Sequence, residues 1–127
     1  MPINFSGINI YAKDAVKSYE FYKGLGFAVS ELDEIPADGS PLGEWWSASF
    51  TLADGMNLWI WNGASKEIMP SNCNEIVIGC GGLDEMNKMY EEYKTAGYAV
   101  STPEKQFYGG WEMHLTDLDG NKILFLD

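Results

Sequence analysis

Residues 19–29 read Tyr-Glu-Phe-Tyr-Lys-Gly-Leu-Gly-Phe-Ala-Val and residues 90–100 read Tyr-Glu-Glu-Tyr-Lys-Thr-Ala-Gly-Tyr-Ala-Val, identical at seven of eleven positions at an offset of 71. A unit written twice within 127 residues constrains the fold more than any bulk property. Neither copy is long enough to bury a sizeable core alone. The two are therefore expected to share one in a pseudo-twofold arrangement, with a cleft between duplicated sheets as the place for a small molecule.

The hydrophobic pattern around each copy changes period. Ile8, Ile10 and Ala12 alternate with Gly7, Asn9 and Tyr11, which predicts a half-buried strand over 5–12. Asp14 stands where a side chain accepts from the free amides of a helix's first turn. Val16, Tyr19 and Tyr22 then recur at helical spacing until Gly24 and Gly26 end the run. A strand over 27–32, an acidic loop over 34–43, and strands over 46–52 and 56–61 follow, the last two flanking Ala53-Asp54-Gly55. Asp-Gly between two strand-like runs signals a hairpin, because glycine takes positive φ freely.

After a polar segment the order repeats: a strand over 75–80, and a helix from near Asp84 to Gly97 with Met86, Met89, Tyr90 and Tyr93 on one face. A strand over 98–101, a loop holding Phe107-Tyr108-Gly109-Gly110, and a hairpin of 111–116 with 122–126 complete it. The expectation is one α+β domain over 1–127: a β-α-β-β-β module over about 1–63, a linker over about 64–73 and a second module over about 74–127.

A composition 46% apolar and 14% aromatic suffices for a packed core. Eight basic against 19 acidic residues give a net charge of -11, which repels nucleic-acid phosphates and anionic membranes. The charge serves solubility or draws a cationic ligand; no nucleic-acid or membrane partner is expected. No stretch reaches membrane-span length and the first residues lack a basic-then-apolar leader, so a cytoplasmic protein is expected. Cys73 and Cys80 lack metal or redox spacing and are read as reduced thiols.

The duplicated β-α-β-β-β unit, the helix end Phe21-Tyr22-Lys23-Gly24-Leu25-Gly26-Phe27 and the hairpin Asp117-Leu118-Asp119-Gly120-Asn121 together resemble the vicinal oxygen chelate superfamily. That group includes glyoxalase I, extradiol dioxygenases, fosfomycin-resistance enzymes and bleomycin-resistance proteins, and the resemblance covers essentially the whole chain. It implies two tandem modules forming a curved, partly closed mixed sheet around a cavity, with the helices outside. Enzymatic members place His or Glu on the first and last strand of each module, so that up to four side chains converge on one divalent ion. Here those positions fall on Gly7, Trp59 and Leu124, and the remaining one on Glu75 or Ile78, depending on how Gly81-Gly82 is aligned. At best one of the four binds a metal, whereas a transition-metal site needs about three or four protein ligands. Neither metal nor cofactor is expected.

Aromatic surface stands where the ligands would be. Trp59 and Trp61 share the parity of a vacated ligand position, Tyr11 lies on the same face of the first strand, and Trp45, Phe107, Tyr108 and Trp111 sit at loops or strand ends. Any one aromatic is more simply core packing; two tryptophans at alternate positions suggest stacking on a planar ligand. Glu112, His114 and Thr116 alternate with Met113 and Leu115 and are expected to face the cavity. His114 is read as a hydrogen-bonded cavity or core residue, with acid–base work beside Glu112 as the functional alternative.

The expected ligand set is Trp59, Trp61, Tyr11, Glu75, Glu112, His114, Tyr108 and Trp111. The pattern is similar to the metal-free binding branch of the superfamily, which sequesters bleomycin, mitomycin or phenazine antibiotics. Trp61-Asn62-Gly63 and Asn74-Glu75-Ile76 look like its phenazine-binding members and imply a stacking role for Trp61. The reading is a binder of a planar aromatic molecule, cationic or amine-bearing where carboxylates face it. The alternative is a glyoxalase-like lyase or isomerase, metal-dependent or using His114 and nearby carboxylates. The resemblance also implies a homodimer.

Overall fold

The computed structural model describes residues 6–68 and 75–127; Phe5, Cys73 and Asn74, named above, lie outside the described residues. The chain divides into two compact units, Met1–Met69 and Pro70–Asp127. The first contains β1 (Gly7–Ala12), α1 (Ala15–Leu25), β2 (Ala28–Leu32), β3 (Ser47–Ala53) and β4 (Met56–Asn62). The second contains β5 (Glu75–Gly79), α2 (Leu83–Thr95), β6 (Glu104–Lys105), β7 (Trp111–Thr116) and β8 (Lys122–Leu126). Each unit is one four-stranded sheet with a helix. The orders are β1-β4-β3-β2 and β5-β8-β7-β6. β1 with β4 and β5 with β8 are parallel and the other pairs antiparallel, so both sheets are mixed. No helix among the described residues is long and apolar enough to cross a membrane.

The helices begin differently. Asp14 caps α1, accepting the Lys17 backbone N–H at 3.1 Å, whereas α2 starts at Gly82 with no side-chain cap and relies on Asp84 and Glu85 in its first turn. Gly26 at φ 104 ends α1 in the left-handed conformation, while Gly24, expected as a stop, lies inside the helix.

The repeated tyrosines account for the cores. Ile10, Leu58, Ile60 and Phe50 are buried in the first unit beneath Tyr19 and Tyr22 of α1. Tyr22 lies 5.4 Å from Phe27 and 6.2 Å from Phe50 between ring centres. Its repeat mate Tyr93 lies 5.8 Å from both Tyr98 and Phe125. The large sheet residue has changed strand. Phe50 faces Leu58 across β3 and β4, while the matching pair in the second unit is Leu115 with Ile123, and the phenylalanine, Phe125, comes from β8. Burying such a ring stabilises by roughly 1.5–3 kcal/mol wherever it originates, so the repeat conserves the volume beneath the tyrosine rather than the position.

One expected strand is corrected. Residues 98–101 are not a strand, and the edge strand is the two-residue β6. Ser101 reaches β7 with its N–H on the His114 carbonyl at 2.8 Å and its Oγ accepting from the His114 N–H at 2.7 Å. Pro103 has no N–H to continue such a ladder, and regular pairing resumes only at Glu104.

Candidate functional site

In each sheet the alternate residues on the side away from the helix-facing core form a second, open face, on which Ser49 alone is buried. In the first unit the strand register sets side by side Gly7, Asn57 and Thr51; then Asn9, Trp59 and Ser49; then Tyr11, Trp61 and Ser47. Both tryptophans are half-buried. The Trp61 indole N–H donates to Asn9 Oδ1 at 2.9 Å, which orients the ring. Tyr11 is exposed, with the Lys66 ammonium 5.1 Å from its ring centre. Ser49 shares a hydrogen bond of 2.8 Å with Ser30, so polar groups here satisfy one another. These rows contain rings and neutral groups and no carboxylate.

The matching rows of the second unit are Glu75, Lys122 and Thr116; Val77, Leu124 and His114; Gly79, Leu126 and Glu112. Here the ionisable groups gather. His114 Nε2 lies 3.4 Å from Glu112 Oε1 and Nδ1 lies 3.9 Å from Glu75 Oε2, one carboxylate to each ring nitrogen. The Tyr108 hydroxyl donates to the other Glu112 oxygen, Oε2. That bond holds the proton on the phenol and pushes Tyr108 up to about 12. A cavity of about 260 Å³ opens beside the cluster, lined by Glu75, His114, Leu115, Thr116 and Lys122. A larger one of about 460 Å³ lies in the loop after β2, lined by Glu34, Pro36, Ala37, Asp38 and Ser40, and includes none of the open-face residues.

Of the residues expected at a site, the first unit sets Tyr11, Trp59 and Trp61 on one face, and the second sets Glu75, Glu112 and His114 on one face with Tyr108 tied to Glu112. Trp111 stands apart: it opens β7 on the parity of the buried Met113 and Leu115. Trp45 and Phe107 are exposed loop residues, Phe107 completely. Sequence reasoning missed Asn9 and Lys122. The alternation of Lys122, Leu124 and Leu126 against Ile123 and Phe125 carried the signal for the lysine.

The profile of the Glyoxalase/Bleomycin resistance protein/Dioxygenase superfamily matches residues 5–125. The chain belongs to this superfamily. Among solved structures it is similar to the hypothetical protein SA1046 from S. aureus, with 22% identity and a TM-score of 0.74, covering 99% of this chain and 95% of that one. It is similar to lactoylglutathione lyase from Agrobacterium tumefaciens, with 12% identity and a TM-score of 0.73 over 99% and 94% of the two chains. A bleomycin-binding protein in complex with bleomycin is 19% identical, with a TM-score of 0.66 and 98% of each chain covered. No curated protein matches the sequence. At such identities the likeness is one of fold.

The superfamily's metal can be tested against this donor set. Gly7 has φ +146, and a Cβ there would stand 1.8 Å from the Asn57 carbonyl oxygen, so the position is closed to any side chain. Trp59 and Leu124 offer no donor oxygen and no ring nitrogen suited to a metal. The choice between Glu75 and Ile78 is decided by register: Glu75 pairs with Lys122 as Gly7 pairs with Asn57, whereas Ile78 pairs with the buried Phe125. Glu75 is thus the one carboxylate at the four positions. Among the described residues no group of three or more His, Cys, Asp and Glu side chains is arranged to hold a metal ion. These residues do not fit the group.

Proposed function

We propose that this chain is a small-molecule binding protein of the glyoxalase/bleomycin-resistance type that sequesters a planar aromatic ligand, such as an antibiotic, without a metal and without turning it over. The observation that carries this reading is the pair Trp59 and Trp61. The core of the first unit is filled by Tyr19, Tyr22, Phe50 and the aliphatic residues, and the two indoles stand half-buried on the opposite face, outside that core. A hydrogen bond from Trp61 to Asn9 pre-orients one ring, which lowers the entropy cost of stacking on it. In the first unit Trp59, Trp61 and Tyr11 are the residues for an aromatic plane; in the second, taken by itself, Glu75, Glu112, His114 and Tyr108 are the residues for polar groups, with carboxylates favouring an amine or other cation. Likeness in fold to a protein solved with bleomycin adds that this architecture accommodates such a binder.

The test is quenching of intrinsic tryptophan fluorescence by bleomycin-like, mitomycin-like and phenazine-like compounds. Binding tighter than about 100 µM (roughly 5.5 kcal/mol) that weakens in Trp61→Ala is expected. Compounds that fail to bind, or that bind a folded Trp61→Ala unchanged, overturn the reading. It also includes a homodimer, since Val29, Leu32 and Trp45 are exposed apolar residues of the kind subunit contacts cover. Light scattering should give twice 14.2 kDa.

A second reading is favoured by the carboxylate on each side of the His114 ring, an arrangement suited to shuttling a proton in a lyase or isomerase. Turnover of a candidate substrate that disappears in His114→Gln while tryptophan quenching persists would select it.

A further inference from the structure

The eight basic residues are all lysines; seven are exposed and Lys122 alone is half-buried. Others have visible neighbours: the ammonium groups of Lys23, Lys66 and Lys94 lie over the rings of Tyr19, Tyr11 and Tyr90 at 5.9, 5.1 and 5.7 Å. Lys122 makes no ion pair among the described residues, although the chain carries 19 carboxylate side chains. Its cross-strand partner is Glu75, the natural counter-ion, yet Glu75 turns Oε2 toward His114 at 3.9 Å instead. On the other side Lys122 faces Thr116, whose hydroxyl makes no side-chain hydrogen bond among the described residues. Here the uncommitted ammonium, the uncommitted hydroxyl and a carboxylate line the cavity of about 260 Å³.

We propose that this cavity receives the head of a zwitterionic ligand: a carboxylate bound by Lys122 Nζ and the Thr116 hydroxyl, and an ammonium bound by Glu75. The inference rests on the reading of the chain as a small-molecule binder and names the chemical class of the group held in the second unit, an amino-acid-like head. The cavity falls below the range of drug-sized sites, so it suits such a head rather than a ring system. A charged donor beside a hydroxyl supplies the two hydrogen bonds that a carboxylate's oxygens need when it leaves water. Separation of the Lys122 and Glu75 charges, rather than their pairing, keeps both available.

The experiment is heteronuclear NMR of the labelled full chain titrated with glycine, acetate or ethylammonium, with sodium chloride as the ionic-strength control. Glycine and acetate should give saturable shifts at the Thr116 amide and the Lys122 side-chain methylenes, glycine being the tighter, while ethylammonium acts near Glu75 alone. Lys122→Met should weaken glycine and acetate at least about tenfold and leave ethylammonium unchanged; Thr116→Val should weaken the two carboxylates by less. No saturable shift at those nuclei below about 100 mM, or acetate binding that survives in Lys122→Met, overturns the proposal. Should Lys122→Met fail to fold, an acetate response equal in wild type and Thr116→Val does the same. None of these probes carries a ring, so a negative result here is separate from failure of Trp61 stacking, which the fluorescence titration reads.

Discussion

The two units spend one sequence pattern on opposite chemistries. Their helix-facing residues match closely, with Ile8 and Ile10 answered by Ile76 and Ile78 and Tyr22 by Tyr93. Their open faces do not match. Trp59 and Trp61 on β4 become Leu124 and Leu126 on β8, while Ser49 and Ser47 on β3 become His114 and Glu112 on β7. At the first row Gly7, Asn57 and Thr51 become Glu75, Lys122 and Thr116. One half presents rings and the other presents charge. A buried face must keep its volume and polarity to keep the fold, but a residue on the open face answers only to what it meets there. Divergence between the copies is therefore concentrated on the face that the core does not constrain.

The sharpest way to break this comparison is to force the two first rows to be alike. Gly7→His would place a family-type ligand where its copy carries Glu75, but the new Cβ would meet the Asn57 carbonyl and the backbone would have to leave φ +146. A loss of about 3 kcal/mol or more is expected, or about 10 °C in thermal unfolding followed by circular dichroism. Glu75→Ala, on an exposed position, should stay close to wild type. Equal effects would show that the two rows are not built differently.

Next comes the loss of rings. Trp61→Ala should weaken an aromatic ligand by about tenfold or more, because one stacking pair contributes about 0.5–1.5 kcal/mol beyond the area it buries. Leu126→Ala, at the matching place, should alter affinity less. A smaller difference is expected between the helix starts: Asp14→Ala removes the one side-chain cap and should cost about 1 kcal/mol, whereas α2 has no such bond to lose.

The smallest effect is spectroscopic. Glu112→Gln removes the carboxylate that holds the Tyr108 proton, so the tyrosinate absorbance of Tyr108 should move down from about 12 toward the ordinary value of 10.0. Tyr93, held up to about 12 by burial, should not move. Both hydroxyls keep their protons longer in the folded chain than in the unfolded one. The stability they add is therefore complete below about pH 10 and is lost as the pH climbs toward 12, more narrowly in Glu112→Gln. An unchanged alkaline titration would mean that Tyr108 and Glu112 are not paired in solution.

Much of the fold was legible in the sequence because periodicity and turn chemistry are local. The hairpin strands Trp111–Thr116 and Lys122–Leu126 follow directly from alternation around Asp117-Leu118-Asp119-Gly120-Asn121, where the Asp117 carboxylate accepts from the backbone of Asp119 and Asn121. The repeat announced two units, and the parity of Trp59 with Trp61 and of Glu112 with His114 announced which residues would share a face. Tertiary structure decided what depends on a neighbouring strand. Whether Glu75 or Ile78 answers Gly7 turns on the parallel register with β8, and no local pattern encodes that pairing. The edge strand fell at Glu104–Lys105 rather than at 98–101 because a strand exists only where a partner can be bonded, and Pro103 interrupts the donors. The closure of position 7 depends on a carbonyl fifty residues away, and the isolation of Lys122 depends on which way Glu75 turns. Both are distances between segments remote in sequence, fixed only when the chain has packed.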